Sequence, residues 1–287
     1  MFIDSHAHYS HGRFDGEFPT LTFDGAHYGS RTLDREKLLE TLWAGGLACS
    51  VEPAIELDSN RVLLDFARKY PGKIFPAVGL HPSRTPNTPW NRRRELDHYA
   101  AEPGVVAIGE LGLDYHTPRQ DQHRLNQIRW FIYQLKLAKR TGLPLILHIR
   151  EAHRDGIRIL RHFGRGVSGG VLHCFSGTWD EAQEYLKLGL HLGIGGALLQ
   201  DKERTPAIQE AVRNTPLERI ILETDSPYVL PECRQDLPAK ADRKGLRNSS
   251  LIIPAVADKV AELKGLDRET VLRATMENAV RLFDLKG

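Results

Sequence analysis

Leu143-Pro144-Leu145-Ile146-Leu147-His148 is an apolar run that ends in a histidine. Nothing polar alternates along it, which is the pattern of a strand covered on both faces and so of a parallel sheet. Helical periodicity precedes it over residues 120–141 and follows it over 150–163. The same unit recurs along the chain. Further strands are predicted at 1–4, 47–52, 74–80, 105–110, 170–174, 190–194 and 219–223, and further helices at 33–44, 59–70, 92–102, 179–188, 206–214, 250–264 and 268–283. Eight strand–helix pairs predict an α/β fold, a (β/α)8 TIM barrel, as one domain over residues 1–287. Two connections exceed the usual length of about 4 to 6 residues, 9–32 after the first strand and 226–248 after the eighth.

Composition narrows the class. Of 287 residues, 41% are hydrophobic and 26% charged, with 39 basic against 37 acidic side chains, as in an ordinary globular enzyme. Three cysteines, Cys49, Cys174 and Cys233, make no disulfide framework, which predicts a reducing, cytoplasmic setting. No leader pattern and no long apolar stretch is visible, so no membrane partner is expected. A net charge of +2 argues against a constitutive polyanion coat. The unusual count is 13 histidines, the commonest metal-ligand type.

Their positions decide the chemistry, because the active sites of such barrels lie at the C-terminal ends of the strands. The first strand ends in His6-Ala7-His8, the fourth in Glu110, the fifth in His148, the sixth in His173 and the eighth in Asp225. Each residue alone is weak evidence: a strand-end histidine is more often hydrogen-bonded in a core, and a strand-end aspartate more often caps a helix. Together, four imidazoles and two carboxylates on one face suit Zn²⁺, Mn²⁺ or Mg²⁺. Six ligands exceed the three of a mononuclear catalytic zinc and favour two divalent ions, with Glu110 as the best bridging carboxylate. His6, His8 and Asp225 would hold one ion, and His148 and His173 the other. A water between the ions would lose a proton near neutral pH and act as nucleophile.

The motifs His6-Ala7-His8, Gly79-Leu80-His81-Pro82, Gly109 to Tyr115, His148-Ile149-Arg150, His173 to Gly177 and Glu223 to Pro227 keep an order that resembles the TatD-type metal-dependent deoxyribonucleases. The resemblance runs the length of the chain. It implies that the same six residues bind metal, that phosphodiester bonds of DNA are hydrolysed, and that Asp225 also accepts a proton from the attacking water. Two departures stand out. The 9–32 segment is longer than expected and carries His11, Arg13, Asp15, Glu17, Asp24, His27 and Tyr28, read as a solvated loop or a lid over the metals. Ser249 and Ser250 stand where the family has a Glu-Pro pair after asparagine.

Arg150 is expected to clamp a phosphoryl oxygen, its other reading being a surface residue that begins a helix. His81 and Asp114 are expected to orient a ligand or touch substrate. Arg247, with Arg234, Lys240, Arg243 and Lys244 against Glu232, Asp236 and Asp242, is read as a modest phosphate-steering loop or equally as a solvated one. Cys174 is read as a packing residue buried in a strand, and Arg92, Arg93 and Arg94 as a solvated face.

The leading function is a 3'-5' exonuclease acting on a single-stranded DNA end, as a monomer, with Glu110 and Asp225 as catalytic residues. A pit at a barrel mouth admits a strand end more readily than the middle of a duplex. The competing function is the same metal chemistry on a small ester, lactone, amide or aminoacyl-tRNA ester, which the near-neutral charge and sparse aromatics favour.

Overall fold

The computed structural model describes residues 1–116, 120–231 and 245–285. Its main sheet has eight parallel strands, β1 (Phe2–Asp4), β4 (Leu47–Pro53), β5 (Ile74–Val78), β6 (Ala107–Asp114), β7 (Leu145–Arg150), β8 (Gly170–Leu172), β9 (His191–Ile194) and β10 (Ile220–Leu222), paired in that order. Strand order follows the chain. Helices α1 (Arg35–Ala44), α2 (Ser59–Lys69), α3 (Glu95–Ala100), α4 (Gln120–Thr141), α5 (His153–Phe163), α6 (Trp179–Lys187), α7 (Thr205–Asn214), α8 (Ile253–Lys264) and α9 (Arg268–Phe283) intervene. This is the (β/α)8 barrel topology expected from the sequence.

The boundaries differ from the sequence reading where a ligand-bearing residue follows a strand. Strand β8 stops at Leu172, so Cys174 lies beyond it, half-buried and with φ of 47°, rather than buried in a strand. Arg150 closes β7, and α5 starts only at His153, so Arg150 does not begin a helix. The 92–102 helix is a 3-10 turn, Trp90–Arg94, running into a short α3.

By internal packing the chain forms two compact units: Met1–Ser50, Cys174–Trp179 and Gly193–Ala279 in the first, Val51–His173, Asp180–Leu192 and Val280–Gly287 in the second. In the first, Ile3, Leu38, Leu42, Ile221, Val256 and Val260 are buried. Its 9–32 segment is a hairpin, β2 (Phe18–Phe23) paired antiparallel with β3 (Tyr28–Leu33), and not the loop expected. Asp24 makes the turn by accepting from the amides of Ala26 and His27. Asp24-Gly25 was the available signal, since that dipeptide favours tight reversals. Phe14, Phe18 and Leu21 are buried beneath the hairpin, and β2 exchanges backbone bonds with Arg247, Leu21 N donating to Arg247 O at 2.8 Å and Arg247 N to Pro19 O at 2.8 Å.

In the second unit every residue of β6 is buried, the carboxylates of Glu110 and Asp114 included, and the strand runs on to Asp114 rather than ending at residue 110 as the sequence reading had it. It packs too closely on β7 for side chains at its glycines. A Cβ on Gly112, where φ is 145°, would lie 2.0 Å from the carbonyl oxygen of His148.

Candidate metal centre

In the first unit, the segment just after β1 delivers His6 and His8, and the turn after β10 delivers Asp225. The Nε2 atoms of His6 and His8 stand 3.2 Å apart, and Asp225 Oδ1 lies 3.7 Å from the first and 3.4 Å from the second. Both imidazoles are buried, and Asp225 is partly open. The backbone locks the three together: Asp225 N donates to His6 O at 2.8 Å, and His8 N to Ser226 O at 2.9 Å. Asp225 itself has φ of 56°, a left-handed conformation that costs a non-glycine residue energy and recurs at functional sites.

Behind this cluster lies Asp4, which the sequence reading passed over. Its Oδ1 accepts from the amides of His6 at 3.2 Å and Thr224 at 3.1 Å; its Oδ2 accepts from the hydroxyls of Thr224 at 2.6 Å and Ser250 at 2.7 Å. Ser250 has spent its proton on Asp4, so the Tyr9 hydroxyl donates to Ser250 Oγ and in turn accepts from Ser250 N. The whole network is buried. Burial pushes the Asp4 carboxyl up to about 7 against the pull of these hydrogen bonds. Ser250 therefore has a defined task at the position where the family carries proline, and Ser249 caps the following 3-10 turn by accepting from Leu251 N. Glu223, given no role of its own in the sequence reading, takes the backbone amide of Cys174 on its Oε1. The signal for Asp4 was its place two residues before a His-x-His pair.

In the second unit Glu110, His148 and His173 meet. Glu110 Oε1 lies 2.9 Å from His148 Nδ1 and 3.0 Å from His173 Nε2, and these two nitrogens are 3.2 Å apart. The far nitrogen of His148 faces Asp114 Oδ2 at 3.3 Å. Burial opposes charge on both, yet their mutual attraction prevails, holding Asp114 down at about 2 and His148 above its ordinary value. Such a carboxylate behind an imidazole fixes its tautomer and ring orientation. His81 stands beside them, its ring centroid 4.3 Å from that of His148 and its Nε2 3.5 Å from Glu110 Oε1. Burial pushes His81 down to about 3, so it is neutral; its Nδ1 accepts from Ser83 N, which also starts the Pro82–Asn87 turn.

Neutral amides brace this unit. Asn60 exchanges two bonds with the backbone of Gly79, Gln134 two with Leu80, and Gln127 two with Asp114, all between 2.8 and 3.2 Å. Gln127 and Gln134 are seven residues apart on α4 and so share a face. The sequence reading missed all three, because a glutamine on a helix carries no mark of burial.

The donor sets fit metal ions. In a tetrahedral shell with bonds of about 2.0 to 2.1 Å, ligand atoms sit about 3.3 Å apart. The first triad spans 3.2 to 3.7 Å and the second 2.9 to 3.2 Å. Neutral imidazoles and carboxylates converging at such distances, with few hydrogens among them, suit a divalent cation.

The substrate residues fare differently. Arg150 is exposed at the end of β7, two residues beyond His148, while its carbonyl accepts from Tyr115 N. The Arg247 guanidinium is committed to the carbonyls of Arg13 and Gly245, which fastens the hairpin. Arg13 lies over the Tyr228 ring at 5.1 Å, and that ring is 6.2 Å from His8. Arg92 pairs with Asp58 and Glu95, a solvated face as expected. Cys233, Arg234, Lys240, Arg243 and Lys244 lie outside the described residues.

Comparison with known proteins agrees with this chemistry. The family model of TatD related DNase matches residues 3–284. A protein of Edwardsiella piscicida named 3'-5' ssDNA/RNA exonuclease TatD is 34% identical over 244 residues, covering 84% of this chain and 89% of that one. The uncharacterized metal-dependent hydrolase YabD of Bacillus subtilis (strain 168) is 29% identical over 283 residues, 99% of each. Among solved structures, YJJV, a TatD homolog from Escherichia coli k12, superposes with a TM-score of 0.77 at 26% identity, covering 99% of this chain and 98% of that one.

Proposed function

The chain belongs to the TatD related DNase family, whose relatives include metal-dependent hydrolases, and from that premise we propose that it removes nucleotides from the 3' end of single-stranded nucleic acid. The observation that carries the reading is the pair of triads with metal-shell spacing, one from His6, His8 and Asp225, the other from Glu110, His148 and His173. The first triad would hold one divalent ion and Glu110, His148 and His173 another, each zinc, magnesium or manganese. The ions supply Lewis acidity toward a phosphoryl oxygen and a water acidic enough to attack near neutral pH.

The protein's own groups do the rest. Asp225, the partly open ligand, accepts the proton of the attacking water. Asp114 holds His148 in one tautomer, and Asp4 fixes the backbone from which His6 projects. Arg150, at the strand end, presents guanidinium hydrogens to the phosphate. Among the described residues no helix is long and apolar enough to cross a membrane. Three cysteines make no disulfide framework, which favours a reducing, cytoplasmic setting, and we take the enzyme to act as a monomer.

The test is to incubate the metal-replete enzyme and an Asp225→Asn variant with end-labelled single-stranded DNA and with a panel of esters and lactones. Mononucleotide release should fall by about 10³ or more in the variant. Turnover of a small ester by wild type, with no nucleotide released, refutes the nuclease reading and leaves a carboxyl-ester hydrolase.

A further inference from the structure

Helix α5 buries Asp155, Gly156, Ile159 and Leu160 and turns Arg154, Arg158 and Arg161 outward, at positions i, i+4 and i+7 of one face. Arg165 continues the line in the turn just past the helix. All four are exposed. In a chain whose net charge is only +2, that is a strong local concentration. The nearby acids answer it only in part: Glu184 pairs with Arg161, and Asp155 lies 3.5 Å from Arg158 while also binding Arg124. No ion pair or hydrogen bond engages the guanidinium of Arg154 or Arg165 among the described residues. A surface of this kind costs self-repulsion unless an anion lies along it.

Its placement within the second unit gives it a direction. Strand β7 carries His148 and ends at Arg150; three residues later α5 begins, so the line starts at the ligand-bearing end of the strand and leads away from it. A rise of about 1.5 Å per residue puts Arg154 and Arg161 about 10 Å apart along the axis, room for more than one phosphate. At the far end, a cavity of about 400 Å³ is lined by Arg161, Arg165 and Lys187 together with Leu160, Val167 and Leu188. A second, open depression of about 660 Å³ lies over Arg154, Ile157, Arg158 and His162. Charge beside apolar surface suits a strand that presents phosphates and base faces together.

We propose that the outer face of α5, Arg154, Arg158, Arg161 and Arg165, is a track for the sugar-phosphate backbone of single-stranded nucleic acid upstream of the end being cleaved. This rests on the nuclease reading above and extends it: the enzyme prefers long strands over short ones, and that preference resides on this helix rather than at the metals.

The test uses metal-loaded Asp225→Asn enzyme, fluorescence anisotropy with 5'-labelled oligothymidylates of about 4 and about 20 nucleotides, and a salt series. The background is compared with a triple variant Arg154→Ala/Arg158→Ala/Arg165→Ala, leaving Arg161 to its partner Glu184. The 20-mer should bind about tenfold more weakly to the triple variant, and the slope of log affinity against log salt should fall by about 2, at about 0.7 per phosphate contact. The 4-mer should bind unchanged, and the three lysine replacements should restore most of the 20-mer affinity. Equal loss for both lengths, or none for either, overturns the track. So does arginine-dependent binding to phosphatidylserine vesicles with the 20-mer unaffected, which would mark a membrane surface. If wild type degrades both lengths equally and the triple variant matches it, the track alone fails; if wild type acts on no oligonucleotide, the nuclease reading falls first.

Discussion

The two triads resemble each other in composition and differ in what holds them. Around His6, His8 and Asp225 the support is a buried carboxylate, Asp4, that gathers two amides and two hydroxyls. Around Glu110, His148 and His173 the Asp114 carboxylate orients one imidazole, but the backbone is held by neutral groups: three side-chain amides clamp it at Gly79, Leu80 and Asp114, and bare glycine lets β6 press against β7. A charged hub concentrates its bonds in one residue, so losing one partner leaves three. Amide clamps and close backbone contact are local and independent, so each loss exposes a specific pair of buried groups. The first arrangement degrades by steps; the second fails at a point.

The sharpest way to break that contrast is Gly112→Ala. The new methyl would meet the His148 carbonyl at 2.0 Å in a backbone region closed to alanine. A loss of about 4 kcal/mol is expected, read as a fall of roughly 10 °C in Tm, with a drop in bound metal as the second triad is displaced. Gln134→Leu comes next. It strips partners from the buried N–H and C=O of Leu80, for about 3 kcal/mol by denaturant unfolding. Ser250→Ala should cost least, about 1 to 2 kcal/mol, because Asp4 keeps three donors, and metal stoichiometry should be retained. If Ser250→Ala proves more damaging than Gln134→Leu, the distinction between hub and clamps is wrong.

Much of this could be read from residue order. Unbroken apolar runs mark strands covered on both faces, and the strand order followed directly from them. His148 and Glu110 were identifiable only as members of a set, four imidazoles and two carboxylates gathered on one face, since each alone is weak evidence. The supporting residues were opaque for a different reason. Gln134 and Leu80 are 54 positions apart, and nothing in the periodicity of α4 separates a glutamine on backbone from one in water. Asp4 looked like the polar end of a strand, and its network depends on Thr224 and Ser250, more than two hundred residues away. The structural part of Arg247 was opaque because composition reports charge and not commitment: its guanidinium donates to the carbonyls of Arg13 and Gly245.

The hairpin at residues 18–33 buries Phe18 and Leu21 over Phe14 and attaches to residue 247 through main-chain bonds that any side chain but proline would permit. In evolutionary terms it is a cassette. Its tip can lengthen, shorten or change sequence while the histidines that follow β1, tied to Asp225 and Ser226 by main-chain bonds, keep their geometry.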